Sequence, residues 1–160
     1  MGQGHQEWDV LMTTILCLDP GGTTGLAVFN YTEDTEPALV HYEQVPGGLD
    51  GFLEWYKSER DIWNWDLIVC EDFTLRMNVK FPDLSPVYII GALEALEWPQ
   101  KPIYQQPAQK SLCDDARLKH MGLHKPGKGH ANDAIRHGII YLRNARHMPT
   151  LKKGWAVNGL

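Results

Sequence analysis

The chain has no uninterrupted apolar run approaching the ~20 residues that span a bilayer. Its N-terminus has neither the basic n-region nor the apolar h-region of a secretory signal. Gln6 stands where a myristoylation motif needs Ser or Thr. No membrane association is expected, and a cytoplasmic location is. Cysteine is scarce: there are three, an odd number, with no Cys-x-x-Cys pair. That argues against a disulfide framework and a thiolate zinc cluster. Cys17 and Cys70 sit inside apolar runs and read as buried free thiols of a reducing compartment. No internal repeat or linker interrupts the sequence, so 160 residues suit one domain with a single core. The expected organisation is a loose leader over 1–10, a domain over 11–148 and a tail over 149–160.

Positive charge is nearly missing from the first part of the chain. Residues 1–99 carry four basic side chains against seventeen acidic ones, a net charge of −13. Residues 100–160 carry eleven against three, a net charge of +8. The overall charge of −5 hides this asymmetry, which points to a polyanionic partner. Helices exposing lysines for solubility would give a similar count. His120, His124 and His130 fall in the same stretch and weigh toward the polyanion.

Two short apolar runs each end in a carboxylate. Ile15-Leu16-Cys17-Leu18 leads into Asp19, and Leu67-Ile68-Val69-Cys70 leads into Glu71. Neither run alternates with polar residues, as expected of strands covered on both faces. The patterns predict strands over 13–19, 25–31, 38–45, 66–72 and 102–106. Helices are expected over 49–62, 85–98, 107–121 and 130–146, with a glycine- and lysine-rich loop over 122–129. A meander of three strands followed by alternation with helices implies a mixed sheet with helices on its faces. If the first and fourth strands lie parallel and adjacent, Asp19 and Glu71 meet at the carboxyl edge, where open α/β sheets bind ligands. Asp72 would then point to the opposite face from Glu71. On the last helix, His130, Asp133, His137 and Ile140 share one stripe that turns apolar toward its end, so its first turns should face protein. Crowded acids need a cation. Two Mg²⁺ or Mn²⁺ ions about 4 Å apart would suit in-line displacement at a phosphodiester.

Three motifs carry a family resemblance. Leu18-Asp19-Pro20-Gly21-Gly22-Thr23-Thr24-Gly25 before an apolar strand resembles the first motif of RuvC-like Holliday junction resolvases. Val69-Cys70-Glu71-Asp72-Phe73 resembles their second acid motif, and His130-Ala131-Asn132-Asp133-Ala134 their C-terminal one. The likeness runs from about residue 13 to 146. It implies an α/β ribonuclease H-like fold, a mixed five-stranded sheet flanked by helices. It also implies Asp19, Glu71, His130 and Asp133 as catalytic metal ligands, and hydrolysis leaving a 5′-phosphate and a 3′-hydroxyl. The family has a DNA-contacting lysine after its strand-five proline. Lys110 in Pro107-Ala108-Gln109-Lys110 is similar at a shorter spacing. Phe73 corresponds to an aromatic that wedges into the junction, although it lies nearer its acid here. Lys125, Lys128 and Arg76 complete the expected DNA contacts. The resemblance further implies a homodimer built on the helix from Ser85 to Trp98, and branched DNA as partner; the short segment between Lys110 and His130, a departure from the family, predicts a looser junction grip that admits forks and flaps beside four-way junctions. The acidic overall charge and short C-terminal part suit a bacteriophage member acting in a bacterial host's cytoplasm.

Two other functions remain open at this level. One is a ribonuclease H activity on RNA–DNA hybrids, and the other is a junction-binding module without catalysis. Gly122 to Lys128 also fits G-x-x-x-x-G-K, but Gly129 replaces the Ser or Thr that a phosphate loop needs.

Overall fold

The computed structural model describes residues 11–155. The leader expected over 1–10 and residues 156–160 lie outside them. Five strands form one sheet: β1 (Thr13–Asp19), β2 (Thr23–Tyr31), β3 (Ala38–Pro46), β4 (Leu67–Glu71) and β5 (Ile103–Gln105). Their order is β3-β2-β1-β4-β5. β1, β2 and β3 pair antiparallel as a meander, whereas β4 lies parallel to β1, and β5 parallel to β4. The α/β class and the mixed five-stranded sheet expected from the sequence are therefore present.

Period-two alternation divides the buried strand residues between two faces. Ile15, Cys17, Ala27, Phe29 and Val69 pack against α4 (Gly129–Asn144) through Ala134, Ile135 and Ile139. Leu16, Leu18, Leu26, Val28, Ile68 and Cys70 pack on the other face against α1 (Gly48–Glu59) and α2 (Ser85–Ala95) through Phe52, Trp55, Ile89 and Leu93. Each fully buried Phe or Leu contributes about 1.5–3 kcal/mol by leaving water.

α4 lies close on the sheet because two glycines make room. A Cβ on Gly138 would stand 2.6 Å from Cys17 Sγ and 2.8 Å from the Phe29 ring. One on Gly25 would collide with the His130 carbonyl at the start of α4.

The single helix expected over 107–121 is two pieces. Pro107–Leu112 is a 3-10 turn, and α3 (Asp115–His120) starts anew after Cys113. Asp114 causes the break: its carboxylate accepts a 2.9 Å hydrogen bond from Arg117 N and caps the second piece. α2 stops at Ala95, where Leu96 turns extended, rather than at Trp98. α4 ends at Asn144, and Arg146 takes the left-handed φ of 58° as His147 N closes onto the Leu142 carbonyl. The stretch expected as a tail carries a further helix, α5 (Met148–Trp155). The Arg117 and Arg143 guanidiniums lie 4.5 and 5.4 Å from the Trp155 ring centre. No helix among the described residues is long and apolar enough to cross a membrane.

Candidate active site

The parallel register of β1 and β4 aligns Leu18 with Cys70, so the next residues, Asp19 and Glu71, leave the sheet side by side at its carboxyl edge. Asp72, one residue on, turns away: its carboxylate accepts from Phe73 N at 2.8 Å and from Gln106 Nε2 at 3.2 Å. α4 crosses the same edge with its first turns. His130 Nδ1 lies 3.7 Å from Asp19 Oδ2, while the rest of the ring is half exposed. Asp133 lies one turn further along. Lys110 reaches in from the 3-10 turn and bridges the acids, with Nζ 3.0 Å from Glu71 Oε2 and 3.1 Å from Asp133 Oδ2.

Three further residues hold this cluster in place, and His137 is among them as a buried partner of an acid. His137, fully buried, meets Glu71 Oε2 through Nε2 at 2.7 Å. Gln105 at the end of β5 donates to the His137 carbonyl at 2.9 Å. Arg136 donates to Asp133 Oδ1 at 2.5 Å and to the Cys113 carbonyl at 2.9 Å, and it also pairs with Asp115. The 3.6-residue spacing of His137 and Arg136 from Asp133 placed them nearby, but their partners come from distant segments.

The start of α4 has no cap of its own. Gln44 on β3 supplies one: its Oε1 accepts from His130 N at 3.0 Å and Ala131 N at 3.3 Å. No local pattern could reveal a cap 86 residues away in sequence. Asn132 fastens the preceding loop by a pair of bonds with the Lys125 backbone, at 2.9 Å to its N–H and 2.8 Å to its carbonyl.

The electrostatics follow from this crowding. Burial pushes the Asp19 carboxyl up to about 8, and the negative charges of Glu71 and Asp133 add to it; Lys110 only partly offsets them. Glu71 is also buried, but hydrogen bonds from His137 and Lys110 outweigh burial and hold it below the usual carboxylate range. Burial alone would lower Lys110; the Glu71, Asp133 and Asp19 charges raise it instead.

Two depressions flank the cluster. One, of about 600 Å³, holds Phe73, Arg76 and Lys110 on its walls. The other, of about 590 Å³, holds His124, Lys128, His130 and Arg136. Lys125 lies beside the second, with its ammonium 5.0 Å above the Tyr42 ring. Asp19, Glu71, His130, Asp133 and Lys110 are thus brought together, while Phe73, Arg76, Lys125 and Lys128 lie around them.

Among the described residues, no three His, Cys, Asp or Glu side chains are gathered tightly enough to hold a metal ion as they stand. Lys110 and Arg136 pair with the Glu71 and Asp133 carboxylates. The donor set nevertheless fits Mg²⁺ or Mn²⁺. It offers three carboxylates and one imidazole, and burial has made the charge on Asp19 costly without a cation.

A β1–β3 meander extended by parallel β4 and β5, with helices on both faces, is the ribonuclease H-like fold of RuvC-like and poxvirus resolvases. Thermus thermophilus RuvC in complex with Holliday junction substrate is similar to this chain with a TM-score of 0.66 at 15% identity, over 86% of this chain and 98% of that one. The fowlpox virus Holliday junction resolvase is similar with a TM-score of 0.56 at 18% identity, over 82% and 99%. The same viral enzyme with substrate Holliday junction DNA gives 0.55 at 16% identity, over 81% and 99%. At these identities the likeness establishes the fold. No protein-family model matches the sequence, and no curated protein matches it.

Proposed function

We propose that this chain is a divalent-metal-dependent endonuclease that cuts phosphodiester bonds in four-way DNA junctions. The observation that carries the reading is the meeting of Asp19, Glu71 and Asp133 at one sheet edge, between two depressions lined by cations, in a resolvase fold. Two of the structural neighbours were solved with Holliday junction DNA, which supports this substrate over an unbranched one.

Asp19, Glu71, His130 and Asp133 would hold Mg²⁺ or Mn²⁺. Metal held by these residues would supply Lewis-acid activation of the attacking water and would offset charge on the departing oxygen. The rest falls to the chain's own side chains. His137 fixes the orientation of Glu71, and Arg136 that of Asp133. Arg76, Lys125 and Lys128 take phosphates on either side of the scissile bond, and the start of α4 adds its positive field. Water attacks phosphorus, the bond to the 3′ oxygen breaks, and the products carry a 5′-phosphate and a 3′-hydroxyl.

Symmetric cutting of a junction needs two sites related by a two-fold axis. The outer face of α2 supports a homodimer: Leu84, Val87 and Tyr88 are exposed there, and Gly91 has nothing packed over it. Forks and flaps, which share the branch point, fall within the same substrate class.

The test is incubation of an end-labelled mobile four-way junction with the protein and Mn²⁺ or Mg²⁺, with products sized on a denaturing gel. Paired nicks near the branch point are expected. Binding without cleavage in either metal would leave only a junction-binding module, and faster cutting of an RNA–DNA hybrid would assign a ribonuclease H.

A further inference from the structure

We infer that Lys110 is a built-in competitor for the divalent cation: its ammonium bridges Glu71 and Asp133 and must leave those oxygens before the ion can take them. This rests on the metal-dependent reading of the same site.

The Lys110 ammonium approaches within 3.0 and 3.1 Å of one oxygen from each acid. A divalent ion on those oxygens and a lysine ammonium cannot share the space, because their like charges would stand within a few ångströms of each other. The other oxygen of Asp133 is already taken by Arg136, and Glu71 Oε2 also meets His137. Lys110 and Arg136 together therefore take both oxygens of Asp133, and Lys110 and His137 share one oxygen of Glu71, so a cation that uses Asp133 must displace one of them. His130 lies against Asp19.

The backbone under Lys110 is pinned. Gln106 and Gln109 cap the 3-10 turn reciprocally, and Cys113 N bonds the Lys110 carbonyl at 3.0 Å. Release must then be a swing of the side chain, for which lysine has a long flexible stem. There is somewhere to go: Lys110 also lines the depression that carries Phe73 and Arg76, where a phosphate would take the freed ammonium. The apparent metal affinity is reduced by the fraction of molecules with the ammonium withdrawn.

The experiment counts Mn²⁺ bound to the full-length protein, without DNA, for the wild type and Lys110→Met, which keeps the stem and removes the charge. The variant is expected to bind Mn²⁺ at least tenfold more tightly. Equal or weaker binding would overturn the inference. Because the variant leaves acids uncompensated and risks unfolding, a second measurement uses the wild type alone. Acetylation read by mass spectrometry should quicken at Lys110 when Mn²⁺ saturates, with Lys125 and Lys128 unchanged as internal controls. An unaltered rate at Lys110 would equally sink it. If the wild type binds Mn²⁺ and cuts junctions while both readouts stay flat, the competitor falls and the nuclease reading stands. If the wild type binds no Mn²⁺ up to millimolar concentrations, both fall.

Discussion

Asp19 is the residue on which stability and activity pull in opposite directions. Its carboxyl is raised to about 8 by burial and by neighbouring negative charge, so the folded protein holds that proton more tightly than the unfolded chain does. The associated stability is complete below the unfolded value near 3.8 and is lost as pH rises through about 8. With a chelator present, the melting temperature should fall between pH 5 and pH 8.5, and Asp19→Asn should flatten that decline. At pH 8.5 the variant should melt higher than the wild type, at about 2–4 °C per kcal/mol relieved, yet its cleavage should drop by at least about 10³-fold. Calorimetry and the junction gel read the two effects separately; an unchanged pH slope would show that Asp19 does not carry the burden. His137 acts on Glu71 rather than on substrate. His137→Asn should lower cleavage by about 10–100-fold and shift the metal concentration needed for half-activity upward, with a KM for DNA close to wild type.

At the scale of elements, the site depends on where α4 begins. Gln44 reaches from β3 to take two free N–H groups in the first turn of that helix, those of His130 and Ala131, and Gly25 on β2 lets the helix approach. Gln44→Ala should cost about 1 kcal/mol, the usual worth of a helix cap, and should weaken cleavage by loosening His130 and Asp133. Gly25→Ala drives a methyl group into the His130 carbonyl; the expected result is about 1–3 kcal/mol of destabilisation and a larger loss of cleavage than of melting temperature. Urea melts beside the junction gel check both. The regular elements were largely legible in the sequence. β1 and β4 were plain because an unbroken apolar run ending in an acid is local information. The break at Asp114 was missed because Pro107 and the residues after it suit a helix start equally well, and the Asp114 cap beat continuation.

At the scale of the whole molecule, the cations around the acids set how binding responds to salt. If Arg76, Lys110, Lys125 and Lys128 each neutralise one phosphate, the logarithm of junction affinity should fall with log salt at a slope of about −3 to −4. A slope near zero in a filter-binding series would remove those side chains from the interface. The outer face of α2 makes a second prediction at this scale. If the proposed dimer forms on this face, Tyr88→Asp should leave a monomer in sedimentation and separate the two nicks of a junction in time, since Tyr88 is exposed there.

From the order of residues alone came the strands, the acids at their ends, the stripe on the last helix and the polarity of charge along the chain. All of these depend on neighbours a few positions apart, where periodicity and turn chemistry act. The tertiary structure alone decided which groups neutralise the acids. Lys110, read from the sequence as a DNA contact, stands between Glu71 and Asp133, while Gln44, Gln105 and His137 fix the frame around them. These contacts join segments 23 to 86 residues apart. Burial at the meeting point sets their strength, and no stretch of sequence contains that burial on its own.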